Sequence, residues 1–184
     1  WHVQGKTEFI LENLIAEGKD KPMIVDSSKG NFTAPGRTFG GYSIKGMAPF
    51  KEEMTKNIVP FIDTNYRTLA DVKNRAICGL SMGGGQSFFV GLESPEYFGS
   101  VGVFSTGLFG GIRTSGSGFD AEKEIPGLLS ESDKFNKNLY LLYISCCEQD
   151  ILIEHNKKEV KVMREKGLEV EHNSFRHDHV WQVW

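Results

Sequence analysis

Cysteine is scarce in this chain: three among 184 residues, at Cys78, Cys146 and Cys147. An odd number without regular spacing builds no disulfide framework, and no histidine or further cysteine stands at ligand spacing from them. Neither a metal site nor a thiol nucleophile is indicated. The three read as small buried apolar residues, and Cys146 and Cys147, adjacent in one strand, are expected to point to opposite faces. Long apolar runs are missing too. No stretch approaches the roughly 20 residues of a membrane span, so no membrane partner is expected. Charge of one sign is nowhere concentrated. The formal net charge is −3, and Lys157-Lys158 falls on the solvent face of an amphipathic helix, which argues against a nucleic-acid partner. The chain carries no recognisable leader and does not begin with Met, which reads as a leader removed or a piece of a longer chain.

What is present suits an ordinary globular domain: 39% hydrophobic and 24% charged residues, and a length that supports one domain over 1–184 with one core. Apolar spacing at Phe9, Ile10, Leu14 and Ile15 predicts a helix over Thr7–Glu17, stopped by Gly18. Pro22–Asp26 (PMIVD) reads as a buried strand and Ser27–Gly46 as a loop. A helix over Pro49–Tyr66 is expected to kink at Pro60. A strand at Arg75–Leu80, a helix at Met82–Glu93 and a strand at Ser100–Phe104 follow. Ser105–Lys137 is long, polar and glycine-rich, with a short helix near Ile125–Ser130 as its one expected element. Loops of that length are commonly functional. Leu139–Ser145 (LYLLYIS) is the strongest strand, followed by a helix over Ile151–Lys166, a strand over Leu168–Phe175 and the start of a helix at His179–Trp184. Strands alternating with helices predict an α/β fold with a mostly parallel sheet and helices on both faces.

The chemistry concentrates at Gly79-Leu80-Ser81-Met82-Gly83-Gly84, a G-x-S-x-G turn directly between a strand and a helix. Such a turn strains the serine at its tip, and Gly79 and Gly83 are expected to remove Cβ atoms that would clash there. The helix start aims N–H groups at charge developing beside Ser81, with the Met82 N–H as oxyanion-hole donor. The bland alternative is a serine that caps the helix. A phosphate-binding loop fits less well, because no Lys-Ser/Thr pair follows. A serine hydroxyl needs a general base, and the base an orienting carboxylate, in the chain order Ser, acid, His. Asp150 stands past the strand LYLLYIS, at the carboxyl edge where functional groups gather. It is either the acid or the cap of the next helix, with Glu148 in reserve. The base is His177 or His179. An H-x-H metal site is disfavoured for want of further ligands. His2, His155 and His172 have no motif around them and are expected at the surface.

These residues resemble the feruloyl esterase and acetylxylan esterase group, carbohydrate esterase family one, within the esterase-D-like α/β-hydrolases. The likeness runs through GKTEFILENLIAEGKDKPMIV, NIVPFIDTNYRTLADVKNRAICGLSMGGGQS, LYLLYISCCEQD and HVWQVW. It implies Ser81 as nucleophile, Asp150 as acid and His179 as base, since the family's histidine stands two residues before the Trp of a W-x-V-W-like ending, here Trp181–Trp184. Two departures stand out. Asp178 replaces the usual glycine before that histidine, where it could disturb the base. Asp26-Ser27-Ser28-Lys29-Gly30 replaces a more apolar, proline-containing stretch. The family also has strands before the position of Trp1, with a His-Gly loop supplying a second oxyanion N–H, and a closing helix after the position of Trp184. The chain therefore resembles a central-to-C-terminal portion of an α/β-hydrolase domain.

The resemblance implies a serine carboxylesterase acting on feruloyl or acetyl esters of plant cell-wall polysaccharide, without metal or organic cofactor. Its partner would be an acylated carbohydrate or a small ester. Ser105–Lys137 would shape the pocket, with Phe109 and Phe119 as aromatic contacts. Alternatives are another esterase-D-like hydrolase or acyltransferase, acting on siderophore esters or thioesters, and a non-catalytic hydrolase-fold binding module. The family implies an extracellular location, with a cytoplasmic one as the alternative.

Overall fold

A computed structural model describes residues 1–28, 30, 44–106, 122 and 125–180. Helix α1 (Thr7–Ala16) is followed by α2 (Ile44–Glu52), a π-helical turn (Glu53–Ile58) and α3 (Val59–Asn65). Strand β1 (Ala76–Leu80) then runs into α4 (Met82–Glu93), and β2 (Ser100–Phe104) follows. The C-terminal half holds α5 (Ser132–Asn138), β3 (Leu141–Cys147), α6 (Ile153–Glu165) and β4 (Glu171–Phe175). The strands form one sheet in the order β1-β2-β3-β4, and all three pairings are parallel.

Parallel register fixes which side chains share a face. Ile77, Val101 and Leu142 are register partners, as are Gly79, Val103 and Ile144. This row is buried and forms the core with Phe88 of α4 and Val160 and Met163 of α6. The other face carries Cys78, Gly102, Phe104 and Tyr143, which are exposed or half-buried. There the ring of Trp1 meets Phe104 edge-on at 5.8 Å. β4 (EHNSF) is a polar, largely exposed edge strand, the composition that discourages further pairing.

Five expectations need correction. Pro22–Asp26 is not a strand: Met23, Ile24 and Val25 are about half exposed and lie outside every ladder. Apolar, β-prone residues make a strand only where a neighbour pairs their backbone groups. The second helix begins at Ile44 and tolerates Pro49 inside α2. Its irregularity is a π turn just before Pro60, where proline has no N–H to give and its ring crowds the carbonyl one turn back. Residues 125–130 form turns, and a helix, α5, lies further on at Ser132–Asn138, a polar segment without an apolar stripe. Finally, Cys78 is exposed while Cys146 and Cys147 are buried, because β1 turns Cys78 to the less covered face. Phe109, Phe119 and Trp181–Trp184 lie outside the described residues. Among the described residues no helix is long and apolar enough to cross a membrane.

α4 approaches the sheet closely at Gly91, where a Cβ would stand 2.4 Å from Val101 Cγ2 and 3.2 Å from Ile77 Cγ2. Glycine costs a helix about 1 kcal/mol relative to alanine, so the close packing must outweigh that loss. Gly91→Ala is expected to destabilise the fold by about 1–3 kcal/mol in urea unfolding. A neutral or stabilising result would mean that the helix can lift off the sheet without cost.

Candidate active site

β1 delivers its chain to α4 through a single residue, Ser81, at φ 56° and ψ −118°. A non-glycine residue at positive φ is uncommon, and such strain persists only where the surroundings over-determine it. The surroundings here are explicit. The Ser81 N–H donates to the Phe104 carbonyl at 2.8 Å, extending the β1–β2 ladder by one rung. The Ser81 carbonyl accepts from the N–H groups of Gly84 and Gly85 at 3.0 and 3.2 Å and from the Thr106 hydroxyl at 2.6 Å. The Ser81 side chain makes no capping bond to α4. The helix-cap alternative therefore fails, and the hydroxyl is not consumed by the helix.

The glycines divide the work differently from the sequence expectation. At Gly79 a Cβ would lie 2.2 Å from the Gly83 carbonyl oxygen, so Gly79 is required. A Cβ on Gly83 would meet nothing within 4 Å. The second tight position is Gly84, whose Cβ would stand 3.0 Å from the Gly79 oxygen and 3.1 Å from both the Phe104 oxygen and Thr106 Cβ. Gly83 matters as backbone, since its chain passes where the Gly79 side chain would be. Gly30 also meets α4, where Gln86 Nε2 donates to the Gly30 carbonyl at 2.5 Å.

Past β3, the loop folds back on the end of β4. The Glu148 N–H donates to Phe175 and the Gln149 N–H to His177, at 2.9 and 3.1 Å. This stitching brings Asp150 and His179 together, with His179 Nδ1 2.7 Å from Asp150 Oδ2. The Asp150 side chain is fully buried and that of His179 is 38% exposed. Asp150 Oδ1 accepts the Leu152 N–H at 2.9 Å, so the residue ties the turn ahead of α6, whose N-cap is Leu152 rather than Asp150, and meets the histidine at once. Burial pushes its carboxyl up, but the Leu152 N–H, the His179 ring and the Ser105 hydroxyl outweigh it and hold the group below the usual aspartate value. An ionised carboxylate only accepts, so Nδ1 carries the proton and Nε2 of the neutral ring keeps its lone pair.

The remaining candidates are placed differently. Glu148 is exposed, and the Asp150 carboxylate meets His179 rather than His177. Asp178 turns its carboxylate to the backbone N–H of His179 at 2.8 Å, a local bond that leaves the Nδ1 contact to Asp150 intact. Burial and the nearby Asp150 charge push the Cys146 thiol up to about 12, too high for a thiolate nucleophile. Among the described residues no group of three His, Cys, Asp or Glu side chains could hold a metal ion.

Sequence reading missed three participants. Ser105, at φ 39°, and Thr106 follow β2 and are buried. Asn156 is fully buried on α6 and bonds His172 Nε2 at 3.1 Å, so His172 is half-buried and bonded rather than a free surface residue. The one available signal was an asparagine on the apolar side of an amphipathic helix pattern.

The model of the Esterase family, described as "Putative esterase", matches residues 1–138. The chain is 40% identical over 109 residues to the endo-1,4-beta-xylanase/feruloyl esterase of Xylanibacter ruminicola, a match spanning 59% of this chain and 15% of that protein. A solved ferulic acid esterase superposes with a TM-score of 0.72 at 20% identity, covering 100% of this chain and 74% of its own. The CE1 ferulic acid esterase of Anaeromyces mucronatus, in complex with ferulic acid, superposes with a TM-score of 0.71 at 26% identity, covering 92% of this chain and 63% of its own.

The lowered pKa of Asp150 carries a pH signature. A folded pKa below the unfolded one, about 3.9, adds stability that is full above the unfolded value and is lost as pH falls through the folded one. Asp150→Asn is therefore expected to be less stable than wild type near neutrality, with the gap closing below about pH 4. Urea unfolding of both proteins from pH 6 to pH 2 measures this, and a gap constant over that range would mean the carboxylate gains nothing from its bonds.

Proposed function

The chain belongs to the esterase family, and from that premise we propose that it hydrolyses carboxylic esters with Ser81 as nucleophile, His179 as base and Asp150 as acid. The observation that carries this reading is the Asp150–His179 hydrogen bond, formed at the same edge of the sheet from which the strained Ser81 turn leaves. Nε2 of His179 takes the proton from the Ser81 hydroxyl as Oγ attacks the ester carbonyl. Asp150 holds the ring in the tautomer that can do so and stabilises the imidazolium that forms. The tetrahedral oxyanion develops beside the start of α4, where the Met82 N–H donates to it and the helix dipole favours negative charge. His179 returns the proton to the leaving alcohol, and water then repeats the sequence on the acyl-enzyme.

The proposed substrate is a feruloyl or acetyl ester on plant cell-wall polysaccharide. The support is the 40% identity to the Xylanibacter endo-1,4-beta-xylanase/feruloyl esterase and the ferulic acid bound to the Anaeromyces neighbour. Both matches are to longer proteins, and the chain spans 15% of the first. An extracellular location belongs to the same proposal, since polymeric cell-wall substrate lies outside cells.

Fluorophosphonate labelling, read by intact mass, should add one adduct to wild type and none to Ser81→Ala. Asp150→Asn should lose about 10⁴-fold in aryl-ester turnover, as expected when the base is held in the wrong tautomer. Labelling that survives Ser81→Ala would place the nucleophile elsewhere. If feruloyl and acetyl xylan esters turn over no faster than unrelated aryl esters, the substrate assignment is wrong.

A further inference from the structure

Behind the Ser81 turn runs a line of buried polar groups. The Thr106 hydroxyl donates to the Ser81 carbonyl at 2.6 Å. The Thr106 carbonyl accepts from Asn156 Nδ2 at 3.2 Å. Asn156 Oδ1, the other end of that amide, meets His172 Nε2 at 3.1 Å. Since this oxygen can only accept, His172 carries its proton on Nε2. Thr106 is 2% exposed and Asn156 is 0% exposed.

Buried polar side chains cost stability unless they are bonded, and an apolar residue at 156 would pack against the same core without that demand. The three bonds also link elements far apart in sequence. They begin on β4, cross α6 at Asn156 and the end of β2 at Thr106, and finish on the carbonyl of the one strained residue between β1 and α4. Thr106 further fills the notch left by Gly84, its Cβ standing 3.1 Å from where that glycine's side chain would be. The hydroxyl bond is the shortest of the three the Ser81 carbonyl accepts, and the one supplied from outside α4.

We infer that Thr106 and Asn156 are positioning residues that hold the Ser81 backbone at its positive φ, with His172 anchoring the far end of the chain. This inference rests on the proposed role of Ser81 as nucleophile. The chain does not touch substrate. It fixes the direction in which the Ser81 hydroxyl leaves the turn, and displacements of about 1 Å at a reacting atom cost on the order of 100-fold in rate.

The test uses Thr106→Val, which removes the hydroxyl and keeps the shape, and Thr106→Ser, which keeps the hydroxyl. Thr106→Val is expected to lower kcat on an aryl acetate and the fluorophosphonate labelling rate by about 10- to 100-fold, with KM unchanged. Thr106→Ser should stay within a few-fold of wild type. Asn156→Leu should lower kcat as well, and the double variant Thr106→Val/Asn156→Leu should lose little more than the worse single, because both act through one chain. Hydrogen exchange over 79–85 reads the same hold without chemistry and should quicken in Thr106→Val but not in Thr106→Ser. An unreactive wild type with that exchange pattern intact removes the esterase reading and keeps the positioning role. Wild-type rates and exchange in Thr106→Val, equal losses in Val and Ser variants, or fully multiplying losses in the double variant each overturn it.

Discussion

A serine held at positive φ between a strand and a helix is the constraint on which the rest of this structure depends. The conformation is costly for any residue with a Cβ, so everything near it must make the alternatives worse. Gly79 lets the chain double back on itself. β2 lies beside β1 in a register that sets the Phe104 carbonyl opposite the Ser81 N–H. α4 lies close enough to the sheet that Gly84 and Gly91 cannot carry side chains without something shifting. The strain is local, but what sustains it is the sheet, the helix and the buried polar chain together.

The second organising feature is a buried carboxylate kept ionised. Burial by itself pushes the Asp150 carboxyl up; the Leu152 N–H, the His179 ring and the Ser105 hydroxyl outweigh it. Holding it there needs two loops that are distant in sequence, and the backbone bonds from 148 and 149 to 175 and 177 join them. The parallel topology brings these loops and the Ser81 turn to one edge of the sheet, since parallel strands all end on the same side. Strand direction thus places groups spread over about a hundred residues at the same end of the sheet.

Much of this was legible in the residues. The G-x-S-x-G turn, the strand before it and the helix over Met82–Glu93 follow from glycine spacing and a continuous apolar run, both local signals. The acid and the base were narrowed to Asp150 or Glu148 and to His177 or His179, the resemblance favouring His179. Other parts were not legible. PMIVD has strand composition, but pairing is a property of a neighbour. α5 lacks an apolar stripe, so its residues carry no helical signal. Thr106 and Asn156 carry no motif, because a threonine after a strand and an asparagine in a helix acquire a role only from what stands opposite them.

The sequence by itself determined the alternation of strands and helices and the turn at Ser81, and it offered a short set of candidates for acid and base, because each of these signals depends on neighbours within a few positions. The tertiary structure decided which carboxylate meets which histidine, which glycines are indispensable, and that Asp178 spends its carboxylate on a backbone N–H. Those outcomes turn on distances of a few ångströms between segments far apart in the chain, and such distances exist only once the sheet has formed.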